Sequence, residues 1–98
     1  MTIEEIRSSN DLTLVLKGRL DMTASPSLEE VVRKNLPSIS SLTFDFEELD
    51  YVSSAGLRVL LMAEKGMKDR GGILIRNANS LVKTVFKVTG FSEILKVE

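Results

Sequence analysis

Two apolar alternations of period two, Leu12-Thr13-Leu14-Val15-Leu16 and Leu42-Thr43-Phe44-Asp45-Phe46, stand on either side of a segment whose apolar residues Leu28, Val31, Val32 and Leu36 recur at helical spacing. Successive side chains of a strand point to opposite faces, so each alternation reads as a strand with one apolar face. A strand, a helix and a strand in that order imply a parallel pair with the helix packed across it. The bounds of the helix are legible too: Ser25 offers a capping hydroxyl, Pro26 suits the first helical position, and Pro37 stops a helix expected over 25–35.

The same reading extends outward. Ile3 to Arg7, followed by the turn residues Ser8-Ser9-Asn10-Asp11, predicts a hairpin with a strand at 11–17 that ends in a turn at Gly18. After the third strand comes an acidic connection, Glu47-Glu48-Leu49-Asp50, and then the longest helix, Ala55 to Arg70, ended by Gly71-Gly72. Ile73-Leu74-Ile75 reads as a fourth strand. Asn79 caps a third helix carrying Leu81, Val82, Val85 and Phe86, Gly90 supplies its left-handed stop, and Ile94 to Val97 add a short last strand. The expectation is one α/β domain over residues 1–98, with a mixed sheet of four to five strands and three helices.

Composition narrows the function. A net charge of −1 and 5% aromatics argue against a nucleic-acid binder, which needs a basic surface and often aromatic platforms. The chain has neither cysteine nor histidine, so thiol chemistry, thiolate metal sites and the commonest general base are excluded. No apolar run approaches bilayer-spanning length, and the acidic start is unlike a secretion signal, so a cytoplasmic protein without membrane insertion is expected. Asp45, Glu47, Glu48 and Asp50 read as a solvated acidic loop, and Gly71-Gly72 lacks the spacing of a phosphate loop.

Val52-Ser53-Ser54-Ala55-Gly56-Leu57 carries the most information. A hydroxyl at a helix start accepts a hydrogen bond from an otherwise unpaired amide, and Ser54 is read as that cap. The same geometry tolerates a phosphoserine, whose oxygens meet free amides and the positive end of the helix dipole. Arg58, at i+4 from Ser54, is placed to pair with such a phosphate. On the helical wheel Gly56, Val59, Leu60, Ala63 and Met67 form a core arc, while Arg58, Lys65 and Asp69 mark the wet side. Leu61 and Met62 flank that wet side, as partner contacts or as residues covered by neighbouring loops. A hydrolase using Ser54 would lack a histidine base and a GxSxG elbow.

The run Leu49 to Leu61 resembles the central segment of bacterial anti-sigma-factor antagonists, the STAS family. Leu16-Lys17-Gly18-Arg19-Leu20-Asp21 is similar to the family's Gly-Glu-Leu-Asp turn, and Asn79 to Phe91 is similar to its last helix, so nearly the whole chain is covered. The resemblance implies a non-catalytic binding module without a cofactor. It further implies that its serine, here Ser54, is phosphorylated by a partner that is both anti-sigma factor and serine-protein kinase, and is dephosphorylated by a PP2C-type phosphatase. In such systems the unphosphorylated form binds the anti-sigma factor and frees a sigma factor. The best-known members place an aspartate where this chain has Ser53, which leaves Ser53 as the alternative acceptor. The partner face is then expected to comprise Asp21, Met22, Thr23, Ser53, Ser54, Leu57, Arg58, Leu61 and Met62. Asp21 is read first as structural support for the turn before the first helix. STAS-like domains also serve as sensor, scaffold or transport-assembly subunits, which is the alternative function.

Overall fold

The computed structural model describes residues 1–98. Strands β1 (Thr2–Ser8) and β2 (Asp11–Leu20) form an antiparallel hairpin in which Ile3 pairs with Leu16 and Ile6 with Thr13. The tight turn between them uses Ser9 at φ 57°, in the left-handed region. Helix α1 (Ser25–Asn35) leads to β3 (Ser41–Val52), α2 (Ser54–Gly66) to β4 (Ile73–Arg76), and α3 (Ser80–Thr89) to β5 (Lys96–Val97). In space the strands lie in the order β1-β2-β3-β4-β5, with β2 to β5 mutually parallel.

Each crossover steps to the next strand in the same direction. The right-handed rule for such connections therefore places α1, α2 and α3 on one face of the sheet. Burial agrees: Leu12, Leu14 and Leu16 of β2, Leu42, Phe44 and Phe46 of β3, and Ile73 and Ile75 of β4 are buried. Their alternates Thr13, Val15, Thr43, Asp45 and Leu74 remain half exposed. The molecule thus has two layers, helices over sheet, with the second sheet face bare. One apolar cluster of 23 buried residues lies between the layers, and Phe46 stands in it edge-on to Phe44 and tilted against Phe86 of α3.

Several sequence expectations are corrected. β2 does not end at Gly18 but continues through it at φ +100° to Leu20. The acidic segment Glu47-Glu48-Leu49-Asp50 is not a loop but the middle of β3. Its composition is poor for a strand, yet the extension of β2 supplies its ladder, pairing Lys17 with Glu48, Gly18 with Leu49 and Leu20 with Val52 across two register shifts. Leu49 turns into the core, while Glu47, Glu48 and Asp50 stay exposed.

Ser25 is not the cap of α1. It is the first helical residue, buried, and its hydroxyl donates to the carbonyl oxygen of Asp21 at 2.6 Å. α2 ends at Gly66 rather than Arg70, and Lys68–Arg70 form a 3₁₀ turn. The Arg70 guanidinium holds that turn by donating to the carbonyls of Leu36, Ile39 and Gly66. In α3, Asn79 caps as expected, accepting from the Val82 amide at 2.8 Å, but Leu81 faces outward. The last strand is shorter than expected, and Ile94 lies outside it, 48% exposed.

Candidate functional site

The extended β2 and β3 run side by side to Leu20 and Val52, and their ends set the site. The Ser53 amide donates to the Leu20 carbonyl at 2.9 Å, fixing the start of α2 beside the turn that begins at Asp21. Gly56 completes the join, because a Cβ there would lie 2.7 Å from Leu20 Cγ and 2.9 Å from its carbonyl oxygen. Only a residue without a side chain lets the first turn of α2 approach β2 this closely.

The two adjacent serines divide their roles. Ser53, with extended backbone at φ −86° and ψ 172°, is the N-cap, and its Oγ accepts from the Gly56 amide at 3.1 Å. Its carbonyl accepts from the Leu57 amide at 2.9 Å. The expectation that Ser54 caps is therefore corrected: Ser54 is the first residue inside the helix, and its side chain is exposed. The extended conformation of a cap fits the residue leaving β3, one position earlier than the pattern of small residues suggests. With the amides of Gly56 and Leu57 taken, those of Ser54 and Ala55 are the ones left free for an outside acceptor. No acid lies in the first turn of α2 to compete for them.

The turn before α1 is built around Asp21, whose Oδ1 accepts from the Ala24 amide at 2.9 Å while its carbonyl accepts from the Ser25 amide at 3.0 Å. This is the supporting role read from the sequence. The turn separates its two exposed residues. Met22, 76% exposed, leans over an open groove between α1 and α2 that is lined by Pro26, Glu29, Glu30 and Arg33 on one side and Ala55, Arg58 and Val59 on the other. Thr23 is exposed on the other side of the turn, in a small hollow with Met1, Ile3 and Asp21. The two are not brought into one groove.

The core arc is buried as expected, Gly56, Val59, Leu60 and Ala63 on α2 and Met67 just past its end, while Arg58 and Lys65 of α2 and Asp69 of the following 3₁₀ turn are exposed. Leu57, expected on the partner face, is instead 7% exposed and part of the core, because the wheel position beside Leu60 looks onto the sheet. Leu61 and Met62 are both half-buried. They differ in their support: Met62 packs against the margin of the core, whereas Leu61 is not among the residues that do so. The α1 side of the groove, Pro26, Glu29, Glu30 and Arg33, was missed from the sequence. The signal was present in the exposed arc of α1, but only the adjacency of α1 and α2 gives it meaning.

A two-layer sheet wound strand after helix in a single direction, with a free hydroxyl at the start of its central helix, defines a β-α superhelical domain. The profile described as "Mlab, STAS domain" matches residues 3–96, and the chain belongs to the STAS domain family. The anti-sigma-B factor antagonist of Bacillus subtilis (strain 168) is 24% identical over 98 residues, taking in 99% of this chain and 90% of that protein. An anti-sigma factor antagonist from Mycobacterium paratuberculosis superposes with a TM-score of 0.88 at 18% identity, covering 98% of this chain and 83% of the other. The Bacillus cell fate determinant SpoIIAA, in its phosphorylated form, superposes with a TM-score of 0.78 at 16% identity, over 99% and 91% of the two chains. These structural likenesses establish the fold.

Proposed function

We propose that this chain is a phosphorylation-controlled anti-sigma-factor antagonist that acts by docking and catalyses nothing. In its unmodified form the start of α2 and the α1–α2 groove bind a cytoplasmic anti-sigma factor that is also a serine-protein kinase, releasing a sigma factor. Transfer of a phosphoryl group to Ser54 ends the complex, and a PP2C-type phosphatase restores it. The observation that carries this reading is the division of labour between the serines: the Ser53 hydroxyl is engaged with the Gly56 amide, while that of Ser54 is exposed beside two unpaired amides. Those amides and the helix dipole accommodate a phosphate where it forms, and Arg58 one turn on is placed to pair with it. The added charge of about −1.5 to −2 alters the docking surface without unfolding the helix that bears it. The partner face is then Met22, Ser54, Arg58 and Leu61, with Ser53 and Asp21 shaping it and Met62 at its margin. The relatives' role as antagonists supports the same assignment.

The test uses the anti-sigma kinase of the same genome. Incubation with ATP adds the mass of one phosphoryl group, mapped to Ser54 and lost in Ser54→Ala, while Ser53→Ala is still modified. In calorimetric titration Ser54→Ala binds like the natural chain and Ser54→Asp does not. Modification of Ser53 would move the acceptor by one residue. Undiminished binding by Ser54→Asp, with no phosphorylation at all, would favour a constitutive subunit of a transport or scaffold assembly.

A further inference from the structure

The bare face of the sheet has a pattern of its own. Across β1 to β4 the register sets two rows on that face: Glu4, Val15, Asp45 and Arg76 in one, and Ile6, Thr13, Thr43 and Leu74 in the next. Ile6 is 49% exposed, and Val15 and Leu74 are half exposed, so three apolar side chains, with the methyls of Thr13 and Thr43 between Ile6 and Leu74, lie on a surface that nothing in the fold covers. The charges are polarised along the rows, with an acid on β1 (Glu4) and a base on β4 (Arg76).

We infer that this face binds a second copy of the chain, about a two-fold axis that runs parallel to the strands between β2 and β3. Such an axis keeps each residue's height along the strands and exchanges β1 with β4 and β2 with β3. Row therefore falls on row. Ile6 of one copy meets Leu74 of the other, Thr13 meets Thr43, and Glu4 meets Arg76, each contact occurring twice. The outer strands of the patch are self-complementary, Glu4 with Arg76 and Ile6 with Leu74, and only the Val15–Asp45 pair is mismatched. The intrachain contact of Arg76 with Glu98 at 3.5 Å is between exposed side chains and leaves the guanidinium free to take a second carboxylate. Asp45 comes to face Val15; its Oδ1 accepts from the Glu47 amide at 3.0 Å and from Asn77 Nδ2 at 3.1 Å, while its Oδ2 has no partner in the fold and must keep a water at the contact, a cost that weakens the association.

Four strands at about 4.8 Å spacing give a patch roughly 20 Å wide, small for a permanent dimer, so the association is expected to be micromolar or weaker. Because the helices lie on the opposite face, the dimer presents both Ser54 surfaces outward and can engage two partner molecules at once.

Sedimentation equilibrium of the full chain tests this. The average mass should rise with concentration toward twice the monomer mass, and Ile6→Glu should hold it at the monomer. Glu4→Arg or Arg76→Glu alone should weaken dimerisation at least about tenfold, and the two combined in one chain should restore it, since the swapped charges again face each other. Circular dichroism confirms that each variant is folded. The chain has no cysteine, so an equimolar mixture of Ile6→Cys and Leu74→Cys chains reports the geometry: facing sheets stand about 10 Å apart, too far for a direct disulfide, and a short bis-maleimide should link the two variants to each other in preference to themselves. A natural chain that stays monomeric at roughly 1 mM, or a dimer indifferent to Ile6→Glu and to the charge swap, overturns the inference. So does self-linkage of the Ile6→Cys chain, which would require a different axis.

Discussion

At residue scale the candidate site turns on which of two adjacent serines does the capping. The extended backbone leaving β3 makes Ser53 the cap, with its Oγ on the Gly56 amide, and leaves Ser54 exposed with no structural task for its side chain. Ser53→Ala should therefore lower stability by about 1 kcal/mol, the usual loss of a capping hydroxyl, while Ser54→Ala should change it by no more than about 0.5 kcal/mol. Urea unfolding followed by circular dichroism measures both, with unchanged m-values expected. Equal losses would mean that the hydroxyls share the cap. The sequence displayed the pair of serines but not this division, because a cap is defined by backbone dihedrals that one residue's displacement reverses. The helical wheel puts Gly56 on the buried side but cannot say why a glycine is needed there, since its reason is a contact with Leu20, thirty-six residues earlier in the chain.

At the scale of elements, periodicity was a good guide wherever one face of an element is buried. The alternations of β2 and β3 and the core arc of α2 all appear in the structure with the expected side inward. It failed where pairing overrides composition, as in the acidic half of β3 and in β2 beyond Gly18, whose ladders are supplied by each other. It also left open the flanks of α2, where a wheel cannot say what a neighbouring element covers. There the structure separates Met62, packed on the core margin, from Leu61, half-buried without that support. Leu61→Lys should accordingly leave the melting temperature within about 4 °C of the natural chain, a change below 1 kcal/mol for a domain of this size, while weakening the anti-sigma complex at least about tenfold. Met62→Lys should lower the melting temperature by more than Leu61→Lys does. Thermal melts and calorimetric titration of both variants decide it, and a larger loss of stability from Leu61→Lys would assign that residue to the core.

For the whole molecule, the open question at the sequence level was how many layers the elements build. An order of strand, helix and strand fits helices on one face or on both, and what decides is that each successive crossover continues in one direction across the sheet. All three helices then share one core. Phe46 stands at its middle, edge-on to Phe44 on its own strand and against Phe86 of the last helix. Burial of its ring is therefore common to the sheet and to an element forty residues later in the chain. Truncating a fully buried phenylalanine costs about 3–5 kcal/mol in lost contacts and residual cavity. For a domain of this size that corresponds to a fall in melting temperature of roughly 15 °C or more. Because one core serves every layer, Phe46→Ala should lower the whole unfolding transition rather than free α3 alone. Far-ultraviolet circular dichroism, which is dominated by the helices, and the fluorescence of Tyr51, which sits on β3 under the Arg19 guanidinium, should lose their native signals at the same shifted temperature. Separation of the two transitions would show instead that α3 and its packing partners unfold as a unit distinct from the β1–β3 end of the sheet.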